Sequence, residues 1–374
     1  MRLLSCLLPM LYFMFSCQQE STKTYLFVGS YTGGESADGI YVYELSQDIG
    51  ELLNVEIVGN LINPSFITLS SDGQFLYACT ETQMVTPGNV SAFSIDESSG
   101  KIEFLNKQST GARNPVHLMF DKSNRYLFAA NYTDASLNVF ERQPNGLLEP
   151  YAQKLNFQGS SIVEGRQDEA HIHASFISPD NGFLVAPDLG ADQLRVFSFD
   201  TVDLLTEEDS LTVLTTKGAG PRHFTFHPNL PYAYCIEELS GNIAFYQFQN
   251  GQLKLIETYQ SYEKMQDIYS SADIHISPDG LFLYTSNRYD ENSIATFTID
   301  QDNGALTLVA HESTYGVKPR NFAIDPSGNF LIVANQDSDN LVVFRRNLTS
   351  GELTKVHEVS GIKSPSCLKM YAYD

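Results

Sequence analysis

A short apolar, aromatic-rich strand pattern recurs seven times along the 374 residues at a spacing of about 50, and in six copies a Ser/Asp/Pro/Gly/Asn turn precedes it. Units of that length bury their apolar faces only against their neighbours, so a period in this range belongs to a propeller or a solenoid. The turn-plus-strand copies read SSDGQFLYACTE from Ser70, FDKSNRYLFAANY from Phe120, ISPDNGFLVAPDL from Ile177, FHPNLPYAYCIEE from Phe226, ISPDGLFLYTSNR from Ile276 and IDPSGNFLIVANQ from Ile324. Their third turn residues, Gly73, Asn124, Asn181, Leu230, Gly280 and Gly328, are separated by 51, 57, 49, 50 and 48 residues.

The seventh copy is divided between the two ends of the chain. YLFVGSYTG from Tyr25 overlays FLYACTETQ from Phe75 with a shift of 50, yet nothing before it supplies a preceding strand and turn. That strand is found in SPSCLKMYAY from Ser364, which matches GPRHFTFHPN from Gly220. The expected fold is therefore an all-β, seven-bladed propeller with four antiparallel strands per blade, closed by pairing N- and C-terminal strands in one blade, which leaves no open sheet edge. A 17-residue leader (1–17) removed from the total leaves seven periods, so 18–374 reads as one propeller domain. The 24 Phe and 20 Tyr suit packed sheet faces, and the absence of Trp excludes the usual tryptophan-bearing WD repeat.

Within each repeat, strand A precedes the turn and strand B follows it, counting from the axis outward. An alternating strand C comes next, such as GIYVYEL from Gly39 or LVVFRRN from Leu341. A glycine turn then opens strand D at Gly50, Gly100, Gly146, Gly251, Gly304 and Gly351. The repeat around Leu204–Leu211 lacks that glycine, and its Glu207-Glu208-Asp209 reads as a solvated loop. The longest irregular stretch, about 158–170, leads directly into His171 and His173 and is expected on the functional face.

Charge narrows the partners. A formal net charge of −22 repels a polyphosphate backbone, which argues against nucleic acid, and an anionic ligand would need the sign reversed locally. Arg2 followed by the apolar run Leu3–Phe15 is too short to span a bilayer and has the form of an export signal. Cys17, after Ser16, is the candidate lipid acceptor of a bacterial lipoprotein, so membrane contact is expected only through an N-terminal anchor on a periplasmic or envelope protein. Cys79, Cys235 and Cys367 lie inside predicted strands and read as buried small hydrophobes; no Cys or His spacing suggests a metal.

Because A and B are antiparallel neighbours, the start of A and the end of B reach the same rim. The first column is Ser65, Val116, His173, Arg222, Ala272, Arg320 and Ser366; the second is Glu81, Tyr132, Leu189, Glu238, Arg288, Gln336 and Tyr31. His173, Arg222, Glu238, Arg288 and Arg320 thus come from consecutive blades onto one opening of an acidic protein, a pattern suited to bidentate binding of a carboxylate or phosphate. The competing structural reading is that Glu238 simply pairs with Arg222 or Arg288 across a narrow funnel. His117 and His223, one position further along strand A, are expected to face the other side of the blade as packed or hydrogen-bonded histidines, and His275 to lie deeper. Asn131, Asn287 and Asn335 are expected to cap turns.

These same segments carry a likeness. GPRHFTFHP, YCIEEL, ADIHISPDGLFLYTSNR, KPRNFAIDPSGNFLIVANQDSDNLVVF and AHIHASFISPDNGFLVAPDLGADQLRVF resemble the seven-bladed propeller lactonase family, which includes propeller-type 6-phosphogluconolactonases and fungal carboxymuconate lactonizing enzymes. The resemblance covers nearly all of 18–374. It implies a lactone-forming or lactone-hydrolysing site at the central mouth without metal or organic cofactor; the expected enzyme is a carboxylic ester hydrolase that opens a sugar lactone, and a monomer acting on a small anionic substrate is expected. The lactonizing enzymes' proposed His, Arg, Glu and Arg fall on His173, Arg222, Glu238 and Arg288. On this reading His173 is the general base, Glu238 the second choice for that role, and Arg222 and Arg288 stabilise the oxyanion. Arg320, Asn321, Gln336, Tyr132 and His171 are the expected substrate contacts. Export sits awkwardly with 6-phosphogluconolactone, a cytosolic metabolite. The rivals are a muconate-type cycloisomerase using the same arginines and a non-catalytic envelope propeller that binds on its rim.

Overall fold

The computed structural model describes residues 22–373, so Cys17 and the leader lie outside the described residues. Among these residues there is no helix, and the strands form seven antiparallel sheets. Six sheets run in chain order, and the seventh is ordered Pro365–Tyr373, Lys23–Ser30, Ile40–Leu45, Leu52–Val58. In it Lys23 lies opposite Tyr373 and Val28 opposite Leu368, so the two ends of the chain share one blade, as their sequences predict.

The blades are held together by the turns that open strand D. Gly146 has φ +85°, and a Cβ there would lie 2.2 Å from the Phe75 ring of the adjacent blade, so the position needs glycine for both conformation and space. Tyr77, next to Phe75 on the same strand face, donates its hydroxyl to the Gly146 carbonyl at 2.8 Å. The arrangement repeats at Tyr234 to Gly304 (2.6 Å) and Tyr284 to Gly351 (2.9 Å). Each such buried aromatic contributes roughly 1.5–3 kcal/mol of apolar burial while its hydroxyl stays satisfied. Cys79, Cys235 and Cys367 are free and buried in these layers.

One loop departs from expectation. Glu207 ends the strand Leu204–Glu207 and pairs with Arg195 at 3.1 Å, and Glu208 accepts from Ser198. Glu207 and Glu208 are thus tied to their own sheet, because Val213–Leu214 adds beside Gln193–Asp200 and folds the loop back, while Asp209 stays exposed in the turn as expected.

The inner strands break their register where they begin. Pro221 opposes Glu237 and His223 opposes Ile236, which leaves Arg222 as the extra residue of a β-bulge. Arg320 is left over in the same way between Pro319 and Asn321, Val116 between Pro115 and His117, and Ser366 between Pro365 and Cys367. Ser271–Ile276 carries a comparable shift before Ile274. A bulge breaks the strict alternation of faces and re-aims a side chain, here toward the axis.

Candidate active site

The axial channel is wide, then narrow, then wide. At the rim where the inner strands begin lies a cavity of about 170 Å³ lined by Tyr31, Tyr132, Arg166, His173, Glu238, Arg288 and Arg320, among others. It shares His173 and Arg320 with a neck of about 10 Å³, to which Arg222, His223, Asn321 and Ser366 also contribute. The neck in turn shares Phe66, His223 and Asn321 with a cavity of about 280 Å³ toward the opposite end, where Phe176, Phe226, Met119, His275 and Lys369 are found.

Glu238 organises the rim. Its Oε1 accepts from Arg166 at 2.5 Å, while its Oε2 accepts from Arg222 Nε at 2.8 Å and lies 3.0 Å from Arg288 Nη2. Burial works to raise its pKa, but Arg288, Arg222 and Arg166 together outweigh that and hold it well below the carboxylate range. The arginines are also anchored on backbone: Arg222 donates to the Ala272 carbonyl and Arg288 to that of Ser270. Burial and the neighbouring cations pull the pKa of Arg222 below its usual value. Four guanidinium groups face one carboxylate, so the rim keeps a surplus of positive charge inside an acidic protein.

Arg320 is different. Among the described residues it has no carboxylate within ion-pair distance, and its guanidinium stacks 5.5 Å from the centre of the Tyr31 ring. His173 is 5% exposed, and its backbone N–H donates to the Pro187 carbonyl at 3.0 Å. Burial first, then Arg222, His223, Arg320 and Arg288, hold its pKa well below 6.5, so the imidazole is neutral. A neutral imidazole beside an unpaired guanidinium can accept a proton from water while negative charge develops nearby.

The structure brings His173, Arg222, Glu238, Arg288 and Arg320 together around the channel, with Tyr132 at the rim. The mutual-pairing reading accounts for Arg222 and Arg288 but leaves Arg320 over. Glu238, the second choice for the base, has both oxygens engaged by guanidinium groups and is a poor proton acceptor. Asn321 sits in the neck rather than at the rim, held by donating to Asp273 and accepting from the Leu368 N–H. Gln336 does not line either cavity at this end. His171 stacks on Tyr132 with ring centres 4.2 Å apart and bonds the Tyr132 carbonyl, which makes it a support for that tyrosine. Glu81, in the same column, has φ +57° and turns to Lys107. Asn131, Asn287 and Asn335 each donate from their amide to a backbone carbonyl, of Ser136, Ser261 and Thr314.

His117 is buried and packs against Phe66, as expected, but it lines the lower cavity of the channel rather than the far face of the blade. His223 is buried and hydrogen-bonded as expected, yet it lines the channel itself rather than the far face of the blade. The bulge at Arg222 is the reason, since it lets two consecutive side chains reach the axis. Arg166 and Asp273 were not singled out from sequence. The usable signals are an arginine inside the stretch that lengthens one repeat, and an acid within an inner strand.

A family model described as "Lactonase, 7-bladed beta-propeller" matches residues 25–370. The chain is 45% identical over 351 residues to the 6-phosphogluconolactonase of Formosa agariphila, covering 93% of this chain and 99% of that one. It is 33% identical to the 6-phosphogluconolactonase of Bacillus subtilis, covering 93% and 98%. Among solved structures, the periplasmic gluconolactonase of Pseudomonas aeruginosa superposes with a TM-score of 0.87 at 34% identity, over 94% of this chain and 99% of that one.

Proposed function

Because the chain belongs to the seven-bladed β-propeller lactonase family, we propose that it hydrolyses an anionic aldonolactone to the free acid at the arginine-lined rim, with His173 as the base. The observation that carries this reading is the neutral His173 beside the unpaired Arg320 in one cavity. His173 takes a proton from the attacking water, and the water oxygen bonds the lactone carbonyl carbon. Arg320 and the free N–H groups of Arg222 and Arg288 face the oxyanion and the substrate's own anionic group. As the tetrahedral intermediate collapses, the carbonyl reforms, the bond to the ring oxygen breaks, and His173 returns the proton to that oxygen. Glu238 keeps Arg166, Arg222 and Arg288 in place; it takes no proton.

A panel of phosphorylated, carboxylated and neutral sugar lactones, with a muconate as an alternative substrate, tests this by acid release. The expected result is a preference for a charged lactone that Arg320→Ala weakens, lowering kcat/KM for the charged substrate by roughly 10-fold or more. Equal turnover of neutral and charged lactones by the wild type and the variant would remove the anion-binding assignment.

The same reading extends to location. Residues 1–17 act as a lipoprotein-type export signal with Cys17 as the lipid acceptor; the leader pattern supports this, as does the likeness to a periplasmic gluconolactonase. Metabolic labelling with a fatty acid is expected to mark the wild type and not Cys17→Ala. An unlabelled wild type would refute it.

A further inference from the structure

The neck of the channel joins His173 to a hydrogen-bonded chain that the reaction as written does not use. His223 Nδ1 lies 2.7 Å from Asp273 Oδ1, and Asp273 Oδ2 lies 2.9 Å from His275 Nε2. Asp273 is 1% exposed and also accepts from Asn321, from the Phe322 N–H and, at 3.0 Å, from the Ile274 N–H. So many donors keep it a carboxylate, and a carboxylate facing His223 Nδ1 requires the proton on that nitrogen. His223 Nε2 is then a bare acceptor. The rings of His173 and His223 lie 5.3 Å apart at 65°, and both line the neck. His173 Nδ1 is buried and, among the described residues, finds no protein hydrogen-bond partner. A space of about 10 Å³ with polar walls suits a single water.

We infer that His223, held by Asp273, serves His173 as a proton-relay and positioning residue through one water in the neck. This rests on His173 being the base, as proposed above. The water accepts from His173 Nδ1–H and donates to His223 Nε2, which fixes the His173 tautomer with Nε2 bare toward the rim. When His173 Nε2 takes the proton of the attacking water, its Nδ1 proton passes to the neck water, and a proton of that water passes to His223 Nε2. Positive charge then rests beside the Asp273 carboxylate instead of among Arg222, Arg288 and Arg320. The same protons return when the ring oxygen leaves, so the relay closes on itself. The other titratable or charged groups around His223 are Arg222 beside it, Arg320 across the neck, His117 at 5.6 Å between ring centres, His275 beyond Asp273, and Lys369 in the cavity below. Burial and Arg222 lower the pKa of His223 to about 4 against the pull of Asp273, while that of His173 is held well below its ordinary value with no carboxylate on its ring.

His223→Gln keeps a polar side chain but cannot carry the proton. Its kcat is expected to fall by about 10²-fold with KM within about 3-fold, and the curved dependence of rate on deuterium fraction expected of the wild type becomes linear. In His223→Ala, imidazole entering through the cavity below restores rate, whereas thiophene, of similar size and unable to carry a proton, does not. Wild-type kcat and isotope behaviour in His223→Gln, or equal rescue by thiophene, would overturn the relay. His173→Ala separates the two ideas: if it stays active, the base assignment fails, and if it is inactive while His223→Gln is normal, only the relay fails. Should the His223 variants not fold, nitrogen shifts of His173 in the wild type decide: the Nδ1–H tautomer supports the relay and the Nε2–H tautomer overturns it.

Discussion

Glu237 and Glu238 are consecutive, both buried, and electrostatically opposite. Glu238 turns to the axial rim and meets three guanidinium groups, which keep it ionised. Glu237 ends the strand Tyr232–Glu237 inside the blade, where, among the described residues, its one side-chain partner is the Ser240 hydroxyl at 2.7 Å. Burial there, with the charge of Asp192 adding to it against the Ser240 bond, pushes its pKa up to about 7. Burial is thus common to the two regions, and the company each carboxyl keeps decides its charge. The rim is built to hold charge in a fixed geometry, whereas the blade interior tolerates an acid by raising its pKa until it is only partly ionised near neutrality.

The sharpest way to break this comparison is to remove the one uncharged base from the charged region. His173→Ala is expected to lower kcat by about 10²–10⁴-fold while changing stability by no more than about 1 kcal/mol, since among the described residues its ring makes no protein hydrogen bond at Nδ1. Because the folded pKa of His173 lies well below 6.5, the wild-type rate should hold its plateau as pH falls through 6.5 and decline only well below it. A rate that halves near 6.5 would mean that the arginines do not act on this imidazole.

Glu238→Gln attacks the comparison from the other side. It leaves Arg222 and Arg288, both buried, with carbonyl partners alone, and loss of one member of such a buried cluster costs about 3–5 kcal/mol. Denaturant unfolding measures this directly. An unchanged midpoint would show that the rim arginines are satisfied without a carboxylate.

Much of this arrangement was legible in the sequence, and the reasons differ by feature. The blades and their closure follow from period and alternation, because a strand's face is set by parity and a turn glycine by sterics, as at Gly146. The rim residues were reachable by counting along a hairpin, which is why His173, Arg222, Glu238, Arg288 and Arg320 share the channel. Counting fails where the backbone leaves the regular path. Glu81 swings away on a left-handed φ, and His223 joins Arg222 at the axis because of the bulge between them. A signal for those bulges does exist: Pro115, Pro221, Pro319 and Pro365 each stand immediately before the extra residue, and proline, lacking an N–H, favours the first position of a strand or a bulge. Arg166 was not legible, because no periodic rule governs where a long insertion folds back.

The mildest test sharpens the contrast from within the blade. The folded pKa of Glu237, about 7, lies above its ordinary 4.5, so between these values the folded chain binds the proton more tightly than the unfolded one. Stability from this group is therefore full below about pH 4.5 and is lost as pH rises through 7, by up to about 3 kcal/mol. Gln cannot ionise and can still accept from Ser240. Glu237→Gln is accordingly expected to melt above the wild type at pH 8 and to match it or fall slightly below it at pH 5, with the two curves crossing between. Parallel curves across that window would mean that Glu237 ionises without penalty, and that the blade interior screens a lone carboxylate as well as the arginine rim does.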